Sequence, residues 1–290
     1  MLSWTLNAVA QGAMIALVAL GYTMVYGVLR LINFAHSEVL MMSAYVAFKA
    51  DQKLFGGFER GGTRGLLLAT TIAIVAASVL GVTIEAVAYR PLRARAKGPT
   101  ARIAPLVTAI GVSMLLQSVA QLAFSATPQK FDPRLAPPMW SVIVVAGVVM
   151  AMLYALVNLT WIGKAMRAVA VNEEASRLMG IRPSRTIVFT FAVGSGLAAI
   201  GAVLYSTTQA SIEPTMGTSI GTLAFVAAVV GGIGSVPGAM LGGVLLGILG
   251  ELVKSTSYSG MKDAIVFTLL VIVLLFKPAG LLGDARTEKV

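Results

Sequence analysis

Hydrophobic residues in this chain come in long blocks rather than in the spaced stripes of a soluble amphipathic helix. Blocks rich in Leu, Ala, Val and Gly cover Thr5–Leu29, Gly65–Tyr89, Ile103–Phe124, Trp140–Leu159, Thr186–Tyr205 and Ala264–Phe276. Most approach the ~20 residues that an α-helix needs to cross the hydrocarbon core of a bilayer. The short alternating strands of a membrane barrel are missing, which leaves helices to satisfy the backbone polar groups. Two regions fit less simply. Phe34–Phe48 is apolar but short, and is interrupted by His36, Ser37, Glu38 and Ser43. Between Ile220 and Val253 lie two apolar runs split by Gly234-Ser235-Val236-Pro237-Gly238. At about 15 residues and ~1.5 Å per residue each run reaches roughly 22 Å, short of the ~30 Å core. Segments interrupted in this way read as the broken or re-entrant helices that build transport pathways. The pattern predicts an all-α, polytopic transmembrane helical bundle with about eight crossings plus short broken or re-entrant helices, in one domain over residues 1–290.

Composition supports the same class. Of 290 residues, 57% are hydrophobic and only 12% charged, and the mean hydropathy is +0.87; no soluble domain hides that much apolar surface. The net charge of +10 does not indicate nucleic acid, because the basic residues collect in loops, as the positive-inside bias requires. Arg90, Arg93, Arg95, Lys97 and Arg102 crowd one loop, and Lys164, Arg167, Arg177, Arg182 and Arg185 another. Two crossings separate these loops, so both are expected in the cytoplasm, together with the tail that carries Lys277, Arg286 and Lys289. Thr207–Ser219, without a basic residue, and the proline-stiffened Ser125–Met139 are expected outside. The first basic residue, Arg30, follows the first apolar block, whereas a cleaved leader carries its charge in front. The first block is therefore expected to stay as a helix with its N-terminus outside, and the C-terminus falls inside. The turn at Gly234–Gly238 fits either two short crossings or one re-entrant dip. The absence of cysteine removes disulfides and thiolate metal sites and leaves the compartment open.

A weak internal echo accompanies this layout. Leu31-Ile32-Asn33 before one short helix resembles Ile212-Glu213-Pro214 before another, on opposite faces, as an inverted repeat would place them.

Candidate chemistry is sparse. There is no phosphate-binding GxxxxGK[ST] pattern; Gly231-Gly232-Ile233-Gly234 has no following Lys. If transport is driven by ATP, another chain must hydrolyse it. No metal or nucleophile constellation is present, since the single His36 has no partner His at helical spacing. Asn33, His36, Ser37 and Glu38 are polar groups at the mouth of the expected broken helix. An ionised carboxylate in lipid costs about 2.5–3.5 kcal/mol, so Glu38 should face protein or water. These four residues read either as a translocation pathway or as helix capping, with Asn33 the cap and Glu38 in the first turn. Glu85 is placed to pair with Arg90 or Arg93, and Glu251 and Asp263 lie near Lys254 and Lys262. Gly231, Gly232, Gly234, Pro237, Gly238 and Gly242 form a packing or hinge region, and the spacings Gly238/Gly242 and Gly243/Gly247 let helix backbones approach closely.

One polar island stands out, Asn172-Glu173-Glu174-Ala175-Ser176-Arg177-Leu178-Met179-Gly180. Asn172 can cap a short helix, the two acids suit its positive end, and Gly180 can close it. A simple connecting loop is the plain alternative.

Several segments taken together resemble one family, the LivH-type inner-membrane permease of ATP-binding-cassette (ABC) importers for branched-chain amino acids. They are Gly21-Tyr22-Thr23-Met24-Val25-Tyr26-Gly27, Ile32-Asn33-Phe34-Ala35-His36-Ser37-Glu38, Ala88-Tyr89-Arg90-Pro91-Leu92-Arg93 and Gly163-Lys164-Ala165-Met166-Arg167-Ala168-Val169-Ala170. Further on come Val230-Gly231-Gly232-Ile233-Gly234-Ser235-Val236-Pro237-Gly238-Ala239 and Leu275-Phe276-Lys277-Pro278-Ala279-Gly280-Leu281-Leu282-Gly283. The resemblance implies a half-channel that pairs with a LivM-like second permease, two cytoplasmic ABC ATPase subunits and a periplasmic solute-binding protein. It also implies that the cytoplasmic loop at about residues 161–185 couples to the ATPases, because Glu174–Gly180 resembles the EAAxxxG coupling loop of such permeases. Glu173, Glu174, Ala175, Arg177 and Gly180 are the coupling residues on this reading. Ser176 stands where the second Ala is usual, Ser37 where Gly is usual, and the loop Ser125–Met139 is shorter than the family leads one to expect.

The expectation is a bacterial inner-membrane, multi-pass importer subunit for branched-chain or other small amino acids or related polar solutes. It has no enzymatic activity of its own, no cofactor and no nucleic-acid partner. The competing expectation, a stand-alone secondary transporter or channel, would need no ATPase. It is disfavoured by the scarcity of ionisable residues within the apolar blocks.

Overall fold

The computed structural model describes all residues except 1, 32, 96–99, 209–210, 258 and 284–290. Expectations that fall on Ile32, Lys97, Arg286 and Lys289, and on the side chains of Arg95 and Arg102, lie outside the described residues.

In chain order the helices are α1 (Leu2–Leu29), α2 (Ala35–Leu54), α3 (Gly57–Arg60), α4 (Gly62–Ile84), α5 (Arg90–Arg95), α6 (Thr100–Phe124), α7 (Met139–Leu159), α8 (Trp161–Val171), α9 (Glu173–Leu178), α10 (Pro183–Thr208), α11 (Met216–Gly231), α12 (Val236–Lys254) and α13 (Lys262–Phe276). A π-turn over Glu85–Tyr89 joins α4 to α5. Among the described residues, seven stretches are long and apolar enough to cross a membrane: Ser3–Leu29, Gly62–Arg93, Ala104–Phe124, Met139–Leu159, Pro183–Thr208, Val236–Lys254 and Ser259–Phe276. The molecule is an all-α polytopic membrane bundle.

The two ambiguous regions resolve differently from each other. The stretch expected to end at Phe48 runs on to Leu54: Lys49, Ala50, Gln52 and Lys53 are compatible with a helix, and the bundle encloses Ala50 and Asp51 on it. Of the two runs expected to be equally short, the second becomes a 19-residue helix, α12. The first, α11, keeps 16 residues, about 24 Å of rise. Both α2 and α11 are largely enclosed by their neighbours.

α1 forms the axis of the bundle, with Ala10, Ala16, Leu17, Ala19 and Leu20 wholly buried. It lies against α12 through small residues on both sides. A Cβ added to Gly12 would sit 2.7 Å from the Val244 Cα, and one on Gly243 would sit 2.5 Å from the Ala16 Cα and Cβ. Gly247 faces the Gly12 backbone. In lipid there is little hydrophobic gain from joining two apolar helices, so close backbone packing of this kind carries the association. Outside this layer, α4, α6, α7 and α13 point large apolar side chains away from the protein, among them Leu67, Val79, Met114, Leu122, Met152, Val271 and Leu275. That continuous apolar exterior far exceeds what a water-soluble protein leaves open and suits a lipid surround.

The basic residues Arg90, Arg177, Arg182 and Arg185 gather at one end of the bundle. At that end the chain after α13 returns to close α11: Leu281 and Leu282 donate backbone N–H bonds to Val230 and Gly231 carbonyls, each at 2.9 Å. At the other end Gln129 and Ile212 exchange backbone bonds, tying the α6–α7 connection to the segment before α11. Arg134 bridges Asp132 and Glu59 there, and its guanidinium holds the Asp132 carboxyl below the usual carboxylate range.

Candidate functional site

The first constellation grows from the break between α1 and α2. Arg30 leaves α1 in the left-handed region, at φ 53°, which turns the chain back into the bundle. Asn33 then starts α2: its Oδ1 accepts from the Ala35 N–H at 3.1 Å. The same oxygen accepts from the Tyr89 hydroxyl at 2.7 Å. Tyr89 closes the π-helical segment, in which Glu85 and Tyr89, four residues apart, both face inward. Glu85, buried, is ion-paired with Arg93, one of the two partnerships expected from the sequence.

His36 and Tyr22 meet edge to face with ring centroids 4.9 Å apart. The imidazole lies on Gly21, where a side chain would collide with it. Gly21 is eight residues from the end of α1, about 12 Å deep. α2 thus begins inside the bundle rather than at its edge. Ser37 Oγ donates to the Phe34 carbonyl at 2.7 Å, and its Cβ fills the space left by Gly221 of α11.

Glu38 does not cap α2. Its carboxylate reaches away to two other helices: Ser113 Oγ of α6 and Thr218 Oγ1 of α11 both donate to Oε1 at 3.3 Å. Oε2 has no partner. It lies where a Cβ on Gly217 would come within 2.6 Å, so only glycine admits it. Glu38 is 1% exposed, and Asn33, His36 and Ser37 are also buried. The first turns of α2 and α11 therefore meet within the bundle around one carboxylate, an arrangement in which the positive ends of both helices favour negative charge. The two helices are those of the internal echo noted in the sequence.

Beyond this carboxylate α11 turns a hydroxyl face outward. Thr215, Thr218 and Ser219 are exposed and Thr222 is half-buried, at the i, i+3, i+4, i+7 spacing of one helix face. On α6 the half-buried Ser113 and Gln117 lie beside it, and Gln117 Nε2 donates to the Pro214 carbonyl at 3.4 Å. Sequence reasoning missed Tyr22, Tyr89, Ser113, Gly217, Thr218 and Thr222. The hydroxyl spacing in 215–222 was available as a signal; the partners of Glu38, 75 and 180 residues away, were not.

The second constellation is at the basic end. Asn172 is extended and its Oδ1 accepts from the Ala175 N–H at 3.0 Å, starting α9. Glu173 and Glu174 occupy the first turn, and Glu173 pairs with Arg177 at 2.6 Å. The helix stops in a Schellman motif: Ile181 N–H bonds the Ser176 carbonyl at 3.0 Å and Gly180 N–H the Arg177 carbonyl at 3.1 Å, with Gly180 at φ 81°. Ser176 faces the protein and is buried, whereas Glu174, Ala175, Leu178 and Met179 face outward. Leu178 and Met179 are 89% and 83% exposed. A cleft of about 380 Å³ is lined jointly by Asn172, Glu173, Arg93 and Val28–Leu31, so α9 borders the α1–α2 break. A second concavity, about 580 Å³, lies between Arg90, Arg177, Arg182 and Arg185.

The glycine-rich group lies at the same end. Gly231 and Gly238 meet backbone to backbone, and Gly242 faces the Ala227 carbonyl. Gly232, at φ 114°, abuts Gly283, and Gly234 has φ 93°. Ser235 caps α12, accepting from Gly238 N–H at 3.2 Å, with Pro237 in the first turn, where a missing N–H costs nothing. Gly242 and Gly238 thus serve packing within the chain.

Comparison with known proteins gives a consistent picture. A family model described as branched-chain amino acid transport system / permease component matches residues 4–274. The chain is 38% identical over 301 residues to the high-affinity branched-chain amino acid transport system permease protein BraD of Pseudomonas aeruginosa, covering 98% of this chain and 96% of that protein. It is 39% identical over 303 residues to the corresponding permease protein LivH of Escherichia coli, with the same coverage. A more distant relative, the ribose import permease protein RbsC of Haemophilus influenzae, is 30% identical over 142 residues, 47% of this chain and 43% of that protein. No solved structure matches the chain.

Proposed function

Because the chain belongs to the family of branched-chain amino acid transport system permease components, we propose that it is the membrane permease of an ATP-driven importer for branched-chain or closely related small amino acids. It works with a LivM-like second permease, two cytoplasmic ATPase subunits and a periplasmic solute-binding protein. It sits in the bacterial inner membrane with its N-terminus periplasmic and its C-terminus cytoplasmic.

The single observation that carries the division of labour is α9. A six-residue helix, capped at both ends, presents Leu178 and Met179 almost bare at the basic end of the bundle, in a chain that has no phosphate-binding motif of its own. Apolar tips of this size stabilise association by about 1.5–3 kcal/mol each when covered. The covering partner is the ATPase, with Glu174, Ala175 and Arg177 at the rim of the contact and Gly180 setting the exit of the chain. Because α9 shares a cleft with Val28–Leu31, a push on it reaches the start of α2. There Asn33 and His36 hold the helix end, while Ser37 and Glu38 back the hydroxyl face of α11 that borders the translocation pathway. A transport cycle then alternates the bundle between inward- and outward-facing states, and the binding protein selects most of the cargo.

The test is a pair of substitutions, L178S with M179S. The variant is expected to insert normally, while ATPase co-purification and ATP-dependent leucine uptake each fall about tenfold or more. Normal values of both would contradict the proposal.

A further inference from the structure

We propose that Glu38 is the subsite that receives the ammonium group of a zwitterionic solute as it passes through the permease, an inference that rests on the permease function above. The carboxylate has no cationic partner among the described ion pairs. A buried carboxylate with one oxygen unpaired is costly, and such groups inside membrane proteins mark substrate or ion pathways. Its two donors are hydroxyls at 3.3 Å, well beyond the ~2.7–2.8 Å usual for O–H···O bonds, so they hold it loosely. They occupy the positions that two N–H bonds of an ammonium would take, and Oε2, bare beside Gly217, offers the third.

The surroundings fit the rest of such a solute. Thr218 is exposed and Ser113 half-buried, so a single layer of side chains separates Glu38 from the α6–α11 face. Along the same face of α11, past Thr222, Phe225 stands with Phe34 at 5.7 Å and Tyr22 at 6.2 Å between ring centroids. An acidic end from α2 and an aromatic wall where Phe225 of α11 meets Phe34 and Tyr22 match a small amino acid with an apolar side chain. A sugar or urea could donate hydrogen bonds to the carboxylate but brings no cation to balance its charge.

The test uses the complete assembly in proteoliposomes, fed by the leucine-loaded binding protein, and reads leucine accumulated per ATP hydrolysed. E38Q is expected to lower that ratio at least about tenfold, as loss of a charge-assisted bond implies, and E38D to stay within about threefold of the natural protein. T218K places a tethered ammonium against Glu38 and is expected to abolish accumulation in the complex that assembles. An unchanged ratio in E38Q overturns the inference, as does a fall in uptake matched by hydrolysis and assembly. If E38Q does not assemble, T218K decides: accumulation at the natural ratio overturns the subsite. Failure of the natural assembly to accumulate leucine defeats the permease function itself, which separates the two failures.

Discussion

Asn33 shows how much one side chain carries at the start of α2. A single oxygen caps the helix and receives the Tyr89 hydroxyl. N33A removes the cap and orphans a buried hydroxyl, so it is expected to destabilise the protein by about 1–3 kcal/mol. Y89F leaves the cap intact and is expected to cost about 0.5–1.5 kcal/mol. Unfolding midpoints in detergent check the order, and a Y89F cost equal to that of N33A would contradict it. The cap was legible in the sequence, since Asn ahead of an apolar run is a familiar helix start. The tyrosine was not, because Tyr89 lies 56 residues away and meets Asn33 only in the folded bundle. Glu38 was legible as a carboxylate that must find protein or water, but not as a group aimed at Ser113 and Thr218.

Among the elements, the α1–α12 pair rests on space rather than on bonds. G247V drives a side chain into the Gly12 and Ala8 backbone and is expected to cost about 1–3 kcal/mol or more, since neither helix can yield. G111V on α6, where nothing lies within 4 Å, is expected to change stability by less than about 0.5 kcal/mol. Thermal unfolding of the two variants in the same detergent separates them, and equal midpoints would contradict the packing account. At α9, G180A meets no neighbour but strains a left-handed residue, at a cost of about 1–2 kcal/mol. That cost falls on one short helix, so ATPase co-purification should drop while the global unfolding midpoint holds; a shifted midpoint with normal co-purification would contradict it. The capped helix at Asn172–Gly180 could be read from the chain because every signal is local. The length of α2 could not, because Lys49, Asp51 and Lys53 look like a helix end until the surrounding bundle is in place.

At the scale of the molecule, the proposed orientation rests on the asymmetry of basic residues. The chain contains no cysteine, so single-cysteine variants report cleanly. In intact cells stripped of the outer membrane, T127C is expected to react with a membrane-impermeant maleimide, and S184C only after permeabilisation; the reverse pattern would contradict the proposed topology. On the proposed function, this chain forms a passage and depends on separate ATPases for work. The most direct measurement compares leucine accumulation by the purified chain alone, under an imposed ion gradient, with accumulation by the complete assembly supplied with ATP. Uphill accumulation by the assembly and none by the isolated chain is the predicted result; uphill accumulation by the isolated chain would contradict the account.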